Sequence, residues 1–187
     1  MITEAVDALL EVGRQLHESG LNAGTAGNLS ARLADGRVVM SKRRVRKATM
    51  TSGDFVVFSP DYPGSEALEQ ASTEYRLHLA SYRADEAVRC VLHTHSPALT
   101  AVGLRRSSFP RLLPELEDVV GSIVINPFES SGSERLAEDV GRAVGRGASV
   151  VILKRHGVVT VGMSVAQALD RLELAENGAR TILLAER

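Results

Sequence analysis

Apolar residues at Ala5, Leu9, Leu10, Val12 and Leu16 recur with the 3.6-residue period of one helix face, and the run stops at Gly20. With Thr3 as its cap, this predicts a helix over 3–19. The period then shortens to two: Leu29-Ser30-Ala31-Arg32-Leu33 alternates, Asp35-Gly36 offers two residues suited to positive φ, and Val38-Val39-Met40 returns. That order predicts a β-hairpin. Phe55-Val56-Val57-Phe58 predicts a third strand, and the Pro- and Gly-containing stretch 59–64 a surface loop.

Further on, the periods alternate. A helix is expected from Ser72 to about Arg83, then an apolar strand over 88–95 that ends in His93-Thr94-His95, then a helix opened by Ser96-Pro97, because proline suits a first helical turn. A brief strand over 122–125, a helix over 133–144, a β-branched buried strand over 149–154 and its neighbour over 157–162 follow. Ser164-Val165-Ala166-Gln167 has the spacing of a capping box and starts a long last helix to about Ala185. Helices interspersed with strands that include a tight hairpin predict an α/β fold, a mixed sheet covered by helices on both faces.

The length, 187 residues, suits one domain, taken as 1–187, and 44% hydrophobic against 24% charged residues is an ordinary globular balance. Lys and Arg number 22 against 23 Asp and Glu, a net charge of −1 that argues against a nucleic-acid binder. No apolar stretch approaches the ~20 residues of a membrane span, and Met1-Ile2-Thr3-Glu4 has no basic segment leading into an apolar one. The expectation is a soluble, unprocessed, cytoplasmic protein without membrane or nucleic-acid partners. Cys90, the single cysteine, fits a reducing compartment.

Chemistry concentrates at strand ends. His93 and His95, two apart on a strand, present their imidazoles on one side, and His156 follows a second strand and precedes Gly157, which lets the backbone turn closely. Three neutral imidazoles at two strand ends would hold a divalent metal with positions left open for substrate, or they are three unrelated surface histidines. Glu74, with Ser72 and Thr73, stands at a predicted helix N-terminus, where amide donors favour an anion, although a plain helix cap has the same residues. His78, one turn beyond Glu74, is read as packed on the inner helix face rather than as a fourth ligand. The loop Gly24-Thr25-Ala26-Gly27-Asn28 could wrap a phosphate but lacks a P-loop lysine. Residues 42–47 carry five positive charges in six positions, enough to attract an anionic substrate, or simply a solvated loop.

Taken in order, Gly27-Asn28-Leu29-Ser30-Ala31-Arg32, Ser72-Thr73-Glu74-Tyr75-Arg76-Leu77-His78, His93-Thr94-His95-Ser96-Pro97 and His156-Gly157-Val158-Val159 with Gly162 resemble the class II aldolase/adducin head family, in particular its small L-fuculose-phosphate aldolase-like enzymes. The resemblance runs from the first helix to the last. It implies a three-layer α/β/α sandwich around a mixed, largely antiparallel sheet, and a cytoplasmic homotetramer with sites at subunit interfaces. It implies a metal-dependent retro-aldol lyase of carbohydrate metabolism, acting on a phosphorylated ketose. His93, His95 and His156 match the family's metal ligands, for zinc or alternatively Mn2+, Co2+ or Fe2+. Glu74 matches the acid/base glutamate that can also ligate the resting metal, and Gly27, Asn28, Ser72 and Thr73 match phosphate-binding positions.

Two positions depart from the pattern. Ser41-Lys42-Arg43-Arg44 stands where relatives have a Thr-Pro-Ser/Thr-Gly type segment, so Arg43 and Arg44 are expected to replace amide contacts to the phosphate with charge, or to select another anion such as a carboxylate. The tyrosine that protonates the leaving aldehyde in aldolase members has no counterpart in 109–120. The chain has only Tyr62, Tyr75 and Tyr82, leaving Glu115 or Asp118 as candidates. These departures keep the family's epimerases, dehydratases and decarboxylases in contention, and a non-catalytic adducin-like interaction domain behind them.

Overall fold

The computed structural model describes residues 1–110 and 113–186. Its elements are α1 (Ile2–Glu18), β1 (Asn28–Arg32), β2 (Val38–Ser41), β3 (Phe55–Phe58), α2 (Ser65–Gln70), α3 (Tyr75–Ala84), β4 (Cys90–Thr94), α4 (Pro97–Arg105), β5 (Ser122–Asn126), α5 (Glu134–Gly145), β6 (Ala148–Leu153), β7 (Gly157–Gly162) and α6 (Val165–Ala185). Seven strands form one sheet in the order β3-β2-β1-β4-β7-β6-β5. All neighbours run antiparallel except β5 and β6. This is the mixed sheet that the hairpin and the interspersed helices predicted, and the largely antiparallel one that the family resemblance implied.

Strand parity explains the layers. Cys90 and Leu92 of β4, Val150 and Ile152 of β6 and Val158 of β7 pack with Leu9, Leu99 and Leu172 of α1, α4 and α6. The intervening Val91, Val151, Leu153, Val159 and Val161 pack with Leu77 and Tyr82 of α3 and with Leu136 and Val140 of α5. Strands buried on both faces favour apolar residues at successive positions, which is why 150–153 and 158–161 read as near-continuous runs rich in Val and Ile. Each such side chain contributes about 1.5–3 kcal/mol of burial.

Several local expectations need correction. Met1, not Thr3, is the N-cap of the first helix, its ammonium donating to Glu4 Oε2 at 2.6 Å, and Thr3 lies inside the helix. Only Gly36 of the hairpin turn has positive φ, with its N–H donating to the Leu33 carbonyl at 3.0 Å. The helix expected from Ser72 starts at Tyr75, with Glu74 as its N-cap. A short helix over Ser65–Gln70, which the sequence pattern does not predict, precedes it, and Gly64 at φ 68 turns the chain into that helix. At the last helix, Ser164 accepts from the Gln167 N–H at 3.1 Å, but the Gln167 side chain returns to the Met163 N–H rather than to Ser164.

Candidate active site

The site lies where β1, β4 and the β6–β7 turn meet the start of α3. Parity on β4 puts His93 on the same face as Val91, towards α3, and parity on β1 puts Asn28 and Ser30 there too; Asn28 is paired with His93 across the two strands. His95 follows the last residue of β4, exposed, with its N–H donating to Asn22 Oδ1 at 3.3 Å. His156 arrives from a tight turn in which Arg155, not Gly157, has positive φ, at 61°. Gly157 is needed for a different reason. A Cβ there would collide with the Thr94 carbonyl oxygen and lie 3.0 Å from the His95 ring, so glycine lets β7 approach β4 beside the histidines.

One nitrogen of each of His93, His95 and His156 lies within 4.8 Å of the others, and the rings meet edge to face with centroids 4.9–5.3 Å apart. Glu74 closes the cluster. Its Oε2 is 2.8 Å from His93 Nε2 and its Oε1 is 3.2 Å from His156 Nε2. Ser131 Oγ donates to Oε1 at 2.9 Å, and Asn28 Nδ2 to Oε2 at 3.3 Å. Ser131 comes from the loop before α5, whose Gly132 packs on the Thr73 backbone. Nothing in the sequence points to it, since a serine in a polar loop has no distinguishing pattern.

The donor set suits a divalent metal. His93 Nδ1 is 3.0 Å from the Val158 carbonyl, which can only accept, so Nδ1 carries a proton and Nε2 is the nitrogen turned to the carboxylate. Among the described residues, His93 Nε2 and His156 Nδ1 are buried without a hydrogen-bond partner. A carboxylate oxygen 2.8 Å from His93 Nε2 calls for positive charge between them, a proton or a metal ion. Burial of the ring pushes His95 down to about 4, and burial lowers His156 too, so both favour the neutral form that donates a lone pair to a metal. Burial pushes the Glu74 carboxyl up, but His93, His156 and the Ser131 hydroxyl together outweigh it, and the net direction is down.

The remaining expected residues gather around this cluster to differing degrees. Gly27 has φ 66, and a Cβ there would collide with the His93 carbonyl. Ser72 is buried, its Oγ accepting from the Glu74 N–H at 3.3 Å, whereas Thr73 is exposed. The basic loop is laced to the segment before Ser72. Lys42 bridges to Ala71, the Arg43 N–H donates to the Gln70 carbonyl at 3.0 Å, and the Arg43 side chain reaches the Ala71 carbonyl at 3.4 Å. Arg44 is exposed in the left-handed region at φ 59. Lys47 is buried, donates to the Val45 carbonyl at 2.7 Å, and is brought down to about 8 by burial. Glu115 and Asp118 are exposed, on a segment whose Leu116 packs on Gly178 of α6, the sheet face opposite α3. Tyr82 is buried, and Tyr62 is 87% exposed.

A seven-stranded sheet between helical layers thus carries three convergent imidazoles and a buried glutamate at one strand-end edge, a donor set that could hold a divalent ion. The chain belongs to the Class II Aldolase and Adducin N-terminal domain family, whose profile matches residues 7–183. It is 30% identical over 165 residues to a 5-methylthioribulose-1-phosphate/5-deoxyribulose-1-phosphate aldolase of Escherichia coli, covering 87% of this chain and 76% of that protein. It is 28% identical over 181 residues to a methylthioribulose-1-phosphate dehydratase of Gluconobacter oxydans, covering 88% of this chain and 84% of the other. The crystal structure of L-fuculose-1-phosphate aldolase from Thermus thermophilus superposes with a TM-score of 0.89 at 26% identity, over 98% of this chain and 95% of that one.

Proposed function

We propose that the protein is a class II aldolase of the L-fuculose-1-phosphate aldolase type, a cytoplasmic lyase of carbohydrate metabolism that cleaves a phosphorylated ketose by retro-aldol chemistry. The observation that carries this reading is the convergence of the His93, His95 and His156 nitrogens around a buried Glu74. These three histidines, with Glu74 in the resting state, would hold the metal, zinc foremost and Mn2+, Co2+ or Fe2+ as alternatives. A divalent ion bound there supplies Lewis-acid polarisation of the ketose carbonyl and its neighbouring hydroxyl.

The chain's own residues do the rest. Breaking the C–C bond leaves an electron pair on the carbon beside the carbonyl, and Glu74 is the group that returns a proton to that carbon, or removes it in the synthetic direction. Gly27, Ser72, Thr73, Arg43 and Arg44 hold the phosphate at the far end, with Asn28 between that subsite and Glu74, so that remote binding fixes the reacting carbon against the carboxylate. A homotetramer is the expected assembly, and it is the source from which the group that takes the hydroxyl proton of the departing aldehyde during cleavage, and returns it in the synthetic direction, would come, since no tyrosine of this chain occupies 109–120.

Methylthioribulose-phosphate dehydration or a hydroxy-acid decarboxylation is the second reading, favoured by that missing tyrosine and by the arginine pair in place of the family's phosphate loop. The deciding experiment follows a pool of ketose phosphates and hydroxy-acids by mass spectrometry, with and without chelator. Chelator-sensitive release of dihydroxyacetone phosphate and an aldehyde supports the aldolase; loss of water or of carbon dioxide moves the protein to the second reading. Full inertness together with absence of bound metal would favour a non-catalytic interaction domain. If replacing Arg43 and Arg44 by alanine leaves KM unchanged, the arginine pair is not part of the phosphate subsite.

A further inference from the structure

Behind Glu74 lies a chain of buried polar groups that the proposed chemistry does not use. Asn28 Oδ1 is 2.5 Å from His78 Nε2, His78 Nδ1 is 2.7 Å from Ser30 Oγ, and Ser30 Oγ is 2.7 Å from the Tyr82 hydroxyl. Asn28, Ser30, His78 and Tyr82 are each no more than 3% exposed. Four buried polar side chains in contact are expensive unless every donor meets an acceptor, and only one arrangement here satisfies all of them.

The direction of each bond follows by elimination. A carboxylate only accepts, so Asn28 turns its NH2 towards Glu74 and its carbonyl oxygen towards His78. That oxygen cannot donate, so His78 carries its proton on Nε2. Burial, followed by the charge of His93, lowers His78 to about 3, so the ring is neutral and Nδ1 is an acceptor. Ser30 therefore donates to Nδ1, and its oxygen accepts from Tyr82, whose own titration burial pushes well upwards. In the other tautomer His78 Nε2 would face the Asn28 oxygen as a second acceptor. The amide would then flip and turn that oxygen on the Glu74 carboxylate.

We infer that His78, fixed in its Nε2–H form by Ser30 and Tyr82, is a positioning residue that acts through Asn28 to hold the Glu74 carboxylate in line with the reacting carbon. This rests on Glu74 being the proton-transfer group. The network runs from the core outwards, from α3 and β1 to the site, so the orientation of Glu74 depends on His78, Ser30 and Tyr82, buried groups behind Asn28. Ser131 bears on the other carboxylate oxygen from a separate loop and completes the clamp.

Two measurements on the full-length, metal-loaded protein test this. Long-range 1H–15N NMR of the His78 ring should show a single neutral tautomer protonated at Nε2; protonation at Nδ1, or a mixture of tautomers, overturns the inference without reference to any substrate. The second measurement is exchange of the hydroxymethyl proton of dihydroxyacetone phosphate into D2O. His78→Leu should slow exchange at saturating probe by about 10²-fold, the penalty of a misplaced catalytic group, with metal content unchanged. His78→Gln, which can donate and accept at similar places, should restore roughly a tenth or more of the wild-type rate. His78→Leu exchanging at the wild-type rate, while Glu74→Gln does not exchange, overturns the positioning role and leaves Glu74's role standing. Exchange that persists in Glu74→Gln would instead remove the role of Glu74, and with it this inference. Should His78→Leu fail to fold, Ser30→Ala serves, with a mixture of His78 tautomers and slower exchange as the expected result and unchanged values for both as the overturning one.

Discussion

Gly27 and His93 touch through the backbone: there is no room for a Cβ on Gly27 beside the His93 carbonyl oxygen. The contact places the loop before β1 directly beneath a candidate metal ligand. Gly27 also has φ 66, a conformation that costs a side-chain-bearing residue about 1–3 kcal/mol even where space is open. Gly24 provides the control, since it has φ 58 and nothing within 4 Å of where its Cβ would stand. Gly27→Ala should therefore destabilise the protein more than Gly24→Ala, and should alone weaken metal binding by displacing the His93 backbone. Denaturant melts and zinc titration of the two variants check this, and equal effects would show that the His93 contact carries no weight.

His95→Ala should remove the bound metal and activity together and leave a folded protein. His95 sits exposed beyond the end of β4, outside both apolar clusters, so its loss opens no cavity, and surface changes of this kind fall within about ±0.5 kcal/mol. Metal analysis beside a circular-dichroism melt is the check. Wild-type metal stoichiometry in the variant would show that His95 is not a ligand.

These two cases also mark what is legible in the sequence. The histidines can be read because strand periodicity and position alone place His93 and His95 at one end of β4, and a β-branched run delivers His156 to the neighbouring edge. Glu74 is legible as a helix-start carboxylate, though the helix begins one residue after it rather than at Ser72. Ser131 and the Asn28–His78–Ser30–Tyr82 chain are not, because each joins residues about 50 positions apart and depends on which strands become neighbours. Strand order is tertiary information that local periodicity does not contain. The short helix Ser65–Gln70 is hidden for a similar reason: Pro63 and Gly64 mark a loop, and six residues give too little periodicity to show a face.

A buried carboxylate that the sequence does not mark offers a third expectation. Glu176 of α6 is 1% exposed and accepts from the Ala98 and Leu99 N–H groups, both at 2.9 Å, so it satisfies the open amides at the start of α4, immediately after His95-Ser96. Arg180, one turn on, reaches its Oε1 at 3.4 Å. Glu176→Ala would leave two buried N–H groups unpaired, at about 1–3 kcal/mol each. The thermal midpoint should fall by several degrees, with raised amide exchange at Ala98 and Leu99. Unchanged exchange there would mean that water replaces the carboxylate without cost.

Lys47 gives a prediction with a definite pH window. Burial lowers its pKa from 10.5 to about 8, so below that value the folded protein carries a desolvated ammonium that donates to the Val45 carbonyl. Between about pH 8 and 10.5 the unfolded chain binds more protons at this residue than the folded one, so its contribution makes stability rise with pH across that window. Below pH 8 the penalty is constant and at its largest. Lys47→Met keeps the apolar stem and removes the charge, so it should stabilise the protein at pH 7 by on the order of 1–3 kcal/mol. For a chain of this size that is roughly 2–10 °C in Tm. The gain should shrink as pH climbs through the window and vanish above it. Urea melts of both proteins at pH 7, 9 and 10.5 check this, and a gain that stays flat across the three would place the effect in packing rather than in the buried charge.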